Sequence, residues 1–257
     1  MSDFVPTPER QKQILSLLTR HGRLSVAEIV AQFSISQATA RRDLESLASQ
    51  GKAQRVHGGV LAVEQAPPEL PIFQRESEQF DEKTRIGREA AGLIADKETV
   101  FLGSGTTVLE VARNLRDRKN LTVLTNSLPV LNMLAGIQGI TVISLGGMLR
   151  ESELSFIGHI TEQTLNEIRV DKVIMGIRGL SLEQGLTNDY LQETLTDRAI
   201  LRIGREVIIV ADHTKVNRIS TVLLAPLNSI HIFVTDVQAD KKFIQALKRQ
   251  EIQVIVT

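Results

Sequence analysis

Ser34-Ile35-Ser36-Gln37-Ala38-Thr39-Ala40-Arg41-Arg42-Asp43-Leu44 is the stretch on which the reading of the whole chain turns. If it is helical from about Gln37, then Ala40, Leu44, Leu47 and Ala48 recur at i, i+4, i+7 and i+8 and form one apolar stripe. The opposite side of the first turns carries Ala38, Thr39 and Arg42, with Arg41 on the flank. Small side chains let such a helix approach a major groove closely. Thr offers a hydroxyl and a methyl group, and Arg can fork onto guanine or hold a phosphate. Alone, the stretch reads equally as a solvated amphipathic helix, so its neighbours decide.

Upstream, Thr7-Pro8 reads as an N-cap followed by proline at the first helical position, and Ile14, Leu15, Leu17 and Leu18 mark a helix face that ends at Gly22. Ser25-Val26-Ala27-Glu28 fits a capping box opening a short helix with Ile29, Val30 and Phe33. Ser34-Ile35 is then a tight turn, and the three segments make a helix-turn-helix. Downstream, Gly51 closes the third helix. Lys52–Val56 and Val60–Val63 flank His57-Gly58-Gly59 as a two-strand wing, with Arg55 and His57 at or near its tip, in reach of phosphate or a minor groove. Gln37, Ala38, Thr39, Arg41, Arg42, Arg55 and His57 are the candidate DNA contacts.

Charge supports a composite chain. Lys+Arg and Asp+Glu are 30 each over 257 residues, yet residues 1–62 hold eight basic side chains against five acidic ones, a net +3 set against −3 for the rest. Cysteine is absent, which excludes disulfides, thiolate metal sites and a cysteine nucleophile. No apolar run approaches a membrane span, and residues 1–20 carry Glu and Arg where a signal peptide needs an apolar stretch. The expectation is a cytoplasmic protein with no membrane association, no cofactor and no metal.

Glu64–Phe80 contains Pro67, Pro68 and Pro71 among polar residues and reads as an extended linker. From Asp81 the pattern changes. Helix-like stretches alternate with seven short apolar runs, Thr99–Leu102, Leu121–Leu124, Thr141–Leu145, Lys172–Met175, Val207–Val210, Ile230–Val234 and Val254–Val256. That alternation predicts an α/β domain with a mostly parallel sheet covered on both faces. The predicted organisation is thus residues 1–63 as a winged helix-turn-helix, 64–80 as linker and 81–257 as the α/β domain.

Ligands of such sheets gather at the carboxyl ends of strands. The residues there are polar and glycine-rich: Ser104, Gly105, Thr106 and Thr107 after the first run, Asn126 after the second, Gly146, Gly147 and Arg150 after the third, Gly176 after the fourth and Lys215 after the fifth. Backbone amides and hydroxyls where a helix opens at Thr106 suit an anion. With 4% aromatic residues the chain offers little for stacking a nucleobase, and the set suits a small polyhydroxylated, phosphorylated molecule.

Ser36–Leu44 followed by His57-Gly58-Gly59 resembles the DNA-binding module of the DeoR family of bacterial transcription regulators. Ser104–Thr107, Thr125-Asn126, Gly146-Gly147 with Arg150 and Gly158, Glu193 with Arg198, and Asp212–Lys215 with Arg218 resemble its sensor domain in order and spacing. The resemblance implies a sensor domain with the fold of ribose-5-phosphate isomerase, a phosphorylated sugar or sugar derivative as effector, Glu193 among the ligand-binding residues, and a homo-oligomer (dimer or tetramer) repressing a sugar-utilisation operon through double-stranded operator DNA. Two positions depart from the usual pattern: Gly103 stands where members often carry an acidic residue, and Thr214 where they often carry Ser. The rival reading is a sugar-phosphate isomerase with an appended DNA-binding module. Isomerisation needs a carboxylate base, and Gly176–Leu182 contains none.

Overall fold

The computed structural model describes residues 6–49, 52–56, 58–62, 64–65 and 70–257. Two compact units divide the chain, Met1–Gln65 and Ala66–Thr257.

The first unit runs α1 (Thr7–His21), β1 (Arg23–Ser25), α2 (Val26–Phe33), α3 (Gln37–Ser49), β2 (Ala53–Val56), β3 (Gly59–Ala62) and the two-residue β4 (Glu64–Gln65). Its core is Ile14, Leu18, Leu24, Ile29, Ala40, Leu44, Leu47, Ala53 and Val60. Full burial of one such Ile or Leu side chain stabilises by about 1.5–3 kcal/mol. The capping box is present: Glu28 N–H donates to Ser25 Oγ at 3.2 Å and Ser25 N–H to Glu28 Oε2 at 2.6 Å. α1 ends at Gly22, whose φ of 69° needs no Cβ and whose N–H closes on the Leu18 carbonyl at 2.8 Å. Its start differs from expectation. Pro6 is the N-cap, Thr7 is already helical and makes no capping bond, and its hydroxyl instead accepts from Arg10 Nη2 at 3.2 Å.

The wing also differs, because β1 joins it and the sheet order is β1-β3-β2, all antiparallel. Three residues of mixed polarity give β1 no periodicity to read. Gly59 makes the third strand possible, since a Cβ there would lie 2.2 Å from the Leu24 carbonyl oxygen. Gly51, His57 and Val63 lie outside the described residues.

The second unit opens with α4 (Ile72–Arg75), inside the stretch expected to be linker, and α5 (Phe80–Gly92), which begins at the last residue of that stretch and runs where a helix was expected. Pro71 serves as the N-cap of α4, and Pro67 and Pro68 lie outside the described residues. Ile72 is fully buried, its N–H donates to the Ser152 carbonyl at 2.8 Å, and Arg75 is buried as well. One isoleucine among polar residues carries no periodic signal, which is why the sequence hides this packing.

The remaining order is β5 (Thr99–Leu102), α6 (Thr106–Arg113), β6 (Leu121–Thr125), α7 (Leu128–Leu134), β7 (Ile140–Ser144), β8 (Met148–Arg150), β9 (Ser155–Ile157), α8 (His159–Asn166), β10 (Val170–Met175), β11 (Gly179–Ser181), β12 (Gly185–Asn188), α9 (Leu191–Ile203), β13 (Gly204–Val210), β14 (Arg218–Ile219), β15 (Val222–Ala225), β16 (Ile232–Thr235), α10 (Lys241–Arg249) and β17 (Gln253–Val256). Among the described residues, the seven apolar runs form the seven strands of one parallel sheet, order β17-β16-β13-β10-β5-β6-β7. Alternation along each strand divides the core in two. Phe101, Val173, Met175, Val207, Ile209 and Phe233 face Ile200, Ile203, Phe243 and Leu247. Val100, Leu102, Ile174, Ile208, Val210 and Val234 face Ile86, Ala90, Val108 and Val111.

Three features were not anticipated: α8, the β8–β9 hairpin and the antiparallel sheet β11-β12-β15. α8 buries only Thr161 and Leu165, and the strands are short. Neither leaves a period long enough to read.

Candidate nucleic-acid interface and ligand cleft

α3 is held from below by its apolar stripe and by a buried ion pair, in which Arg10 Nε donates to Asp43 Oδ2 at 2.6 Å while Gln11 Nε2 reaches Asp43 Oδ1 at 3.3 Å. Ser36 caps the helix, its Oγ accepting from Thr39 N–H at 3.1 Å. At about 100° per residue, Gln37, Arg41, Glu45, Ala38 and Arg42 fill one exposed arc of roughly 140°, and all five are exposed. Thr39 sits beyond that arc, half-buried, with its hydroxyl 2.9 Å from Ser36 Oγ. Of the predicted contacts, Gln37 and Arg41 line one groove together with Arg55 of the wing, beside the start of α2. Arg55 is exposed, and His57 lies outside the described residues.

In the second unit the strand order reverses at β5, which has β6 on one side and β10 on the other. A crevice at the carboxyl ends of strands is expected at such a switch point. A cleft opens there. Ser104, Gly105, Thr106 and Thr107 enter it from the end of β5, Gly176, Ile177 and Arg178 from β10, and Asp212, Thr214 and Lys215 from β13. Gly105 precedes α6 with φ 107° and makes no side-chain cap, so the first amides of α6 and the Thr106 and Thr107 hydroxyls share the helix's positive end. Glu193, Asn188 and Asp197 line another side, Asn188 Nδ2 donating to Asp197 Oδ2 at 2.8 Å.

Seven of the eleven predicted ligand residues therefore line the cleft: Ser104, Gly105, Thr106, Thr107, Gly176, Glu193 and Lys215. Asn126, Gly146, Gly147 and Arg150 do not, and strand order gives the reason. They follow β6 and β7, one and two strands away from β5, each strand about 4.8 Å across. Asn126 is buried and donates to the Phe156 carbonyl at 3.1 Å. The Gly146 carbonyl accepts from Thr161 Oγ1 at 2.7 Å, and a Cβ on Gly147 would strike that hydroxyl at 2.3 Å, so Gly147 serves packing, while a Cβ on Gly146 would meet no atom within 4 Å. Arg150 acts at one remove. It pairs with Glu193, lies 3.9 Å from Asp189 and stacks 4.6 Å from the Tyr190 ring, while Ser155 Oγ donates to the other Glu193 oxygen at 2.9 Å.

Five charged lining residues went unread: Arg75 and Lys83 from α4 and α5, Glu78 from the turn between them, Glu153 and Asp197. Lys83 did leave a signal, because it stands on the same helical stripe as Ile86, Gly87, Ala90 and Ala91, where a charge is out of place unless it has work to do. Its Nζ donates to the Arg75 carbonyl at 2.7 Å. Arg75 pairs with Glu153, and its Nε donates to the Leu70 carbonyl at 2.8 Å. Burial lowers the Lys83 pKa below the ordinary lysine range, against the pull of Asp212 and with the repulsion of Lys215 and Arg75. These cations line the same cleft, and an anion placed among them relieves their mutual repulsion.

Residues 10–66 match the family described as "DeoR-like helix-turn-helix domain" and residues 78–237 the one described as "DeoR C terminal sensor domain". This chain belongs to the DeoR family. The transcriptional repressor AccR of Agrobacterium fabrum is 36% identical, covering 91% of both chains. The glycerol-3-phosphate regulon repressor of Escherichia coli is 34% identical, over 95% of this chain and 97% of its own. The HTH-type transcriptional regulator IolR of Bacillus subtilis is 32% identical, over 95% of each. Among solved structures, ribose 5-phosphate isomerase A of Methanocaldococcus jannaschii overlaps 54% of this chain and 55% of its own at 19% identity and a TM-score of 0.40. The family assignment rests on the sequence matches, and the fold on the strand order above. As a DeoR-family member the chain is a DNA-binding transcription regulator. No helix among the described residues is long and apolar enough to cross a membrane.

Proposed function

We propose that this regulator represses genes for the use of a carbohydrate, and that a phosphorylated sugar or sugar derivative in the switch-point cleft controls it from a homo-oligomeric, cytoplasmic assembly. The observation that carries the reading is the split chemistry of the cleft. The α6 amides, Thr106, Thr107, Lys83 and Lys215 suit a phosphate, and Asn188, Glu193 and Asp197 suit hydroxyl groups. The apolar lining is Met175, Ile177 and Val210, without an aromatic ring.

Catalysis is the weaker reading, although carboxylates absent from Gly176–Leu182 reach the cleft from other elements. Glu193 is engaged by Arg150 and Ser155, Asp197 by Asn188, Asp212 by Thr214 and Glu153 by Arg75, while Glu78 is exposed in the turn between α4 and α5. A general base needs an open lone pair aimed at the substrate's C–H, and the full-length relatives carry the names of repressors and regulators.

The test is a titration of operator binding with a sugar and with its phosphate, repeated on Thr106→Ala and Lys215→Ala. Wild type responds to the phosphate alone, and both variants bind DNA normally without responding. Equal responses to both ligands move the anchor elsewhere. By linkage, the factor by which the effector shifts DNA affinity equals the factor by which DNA shifts effector affinity, a coupling of about 1–3 kcal/mol.

A further inference from the structure

Part of the cleft lining comes from the first described stretch of the second unit. Residues 70–83 contribute Arg75, Glu78, Gln79 and Lys83, and Gln65, which closes the DNA-binding unit, precedes Leu70 by only a few residues along the chain. This stretch is fastened to the rest of the unit at two points and tied within itself at a third. Ile72 is buried and its N–H bonds Ser152, Arg75 pairs with Glu153, and Lys83 ties back to the Arg75 carbonyl. Gln79, at the junction of α4 and α5, sits at φ 49°, a left-handed conformation that a non-glycine residue adopts only when its surroundings hold it there. Its outer side is apolar and exposed at Leu70, Phe73 and Phe80.

We propose that residues 70–83 are a strap across the cleft, and that an anionic ligand held between Lys83 and the first turn of α6 fastens it, so that occupancy is transmitted to the segment carrying the DNA-binding unit. The inference rests on the reading of the cleft as an anion site. Lys83 is buried with its ammonium group tied to the Arg75 carbonyl and other cations of the cleft close by. An anion adds to the pull that Asp212 and Glu78 already exert on Lys83, and does so only while the strap is closed, because Lys83 leaves with the strap. A ligand that touches the strap in one state and loses that contact in the other must favour the first. Strap opening then becomes rarer by the factor 1 + [L]/Kd.

Hydrogen exchange of the full-length protein tests this with inorganic phosphate as the probe. Amides 106–108 report occupancy of the α6 end, and amides 70–83 report the strap. In wild type, phosphate at ten times its dissociation constant slows both sets about tenfold. In Lys83→Met, phosphate at its own saturating concentration still slows 106–108 and leaves 70–83 unchanged. Should that variant misfold by circular dichroism, Lys83→Gln keeps a donor for the Arg75 carbonyl and replaces it. Protection of 106–108 without protection of 70–83 in wild type overturns the strap and spares the cleft. Protection of neither overturns the anion site, and the strap with it. Protection of 70–83 in the variant equal to that in wild type removes Lys83 as the fastening.

Discussion

Replacing Asp43 by Ala tests whether the recognition helix is pinned by its buried ion pair. Both side chains are 4% exposed, and the 2.6 Å bond from Arg10 Nε is joined by one from Gln11. An exposed pair would contribute about 0–1 kcal/mol. Here the substitution leaves the Arg10 guanidinium buried without its carboxylate, which costs about 3–5 kcal/mol. A single core of this size supplies about 3–5 kcal/mol of stability in total, so the first unit of Asp43→Ala populates its unfolded form while the second stays intact. Hydrogen exchange on the full-length protein separates the two. Amides of α1 and α3 lose protection, those of β10 keep it, and operator binding falls with the first set. Asp43→Asn, which retains an acceptor, loses less. Arg10→Met with Asp43→Leu restores protection, since replacing a buried pair by apolar side chains of similar volume is often neutral or stabilising. Protection in Asp43→Ala within about 1 kcal/mol of wild type, or a double variant no better than the single one, refutes the reasoning.

Arg42→Ala weakens operator binding by about 1–3 kcal/mol and relaxes preference at one base pair, as measured by anisotropy against operators substituted one position at a time; unchanged affinity refutes base contact. Arg55→Ala instead lowers affinity for every sequence and shallows its salt dependence by about one unit of slope. The capping box supplies a pH prediction. Hydrogen bonds from the Ser25 backbone and hydroxyl hold the Glu28 carboxyl below its ordinary value of 4.5. A depressed folded-state pKa gives stability that is present above 4.5 and lost as pH falls through the lowered value. Acid titration of α2 amide exchange therefore shows a loss that Glu28→Gln abolishes, and an identical profile in that variant contradicts the assignment.

Periodicity made the helix-turn-helix and the seven strands legible, because both depend on local repetition: a stripe at i, i+4 and i+7 in α3, and runs of Val and Ile deep enough to be covered on two faces. The capping box was equally local. Turn chemistry was also visible, but it could not say which turns meet. Thr125-Asn126-Ser127 and Gly103–Thr107 look alike as sequence, yet only the second faces the crevice, because β5 lies at the reversal of strand order and β6 one strand beyond it. Pairing order is a property of contacts between residues far apart in the chain, and no window of sequence contains it. The same holds for the Arg10–Asp43 pair, 33 residues apart, and for Arg75 with Glu153, 78 apart. Each reads as a surface charge until tertiary packing removes it from water and leaves its partner as the available compensation.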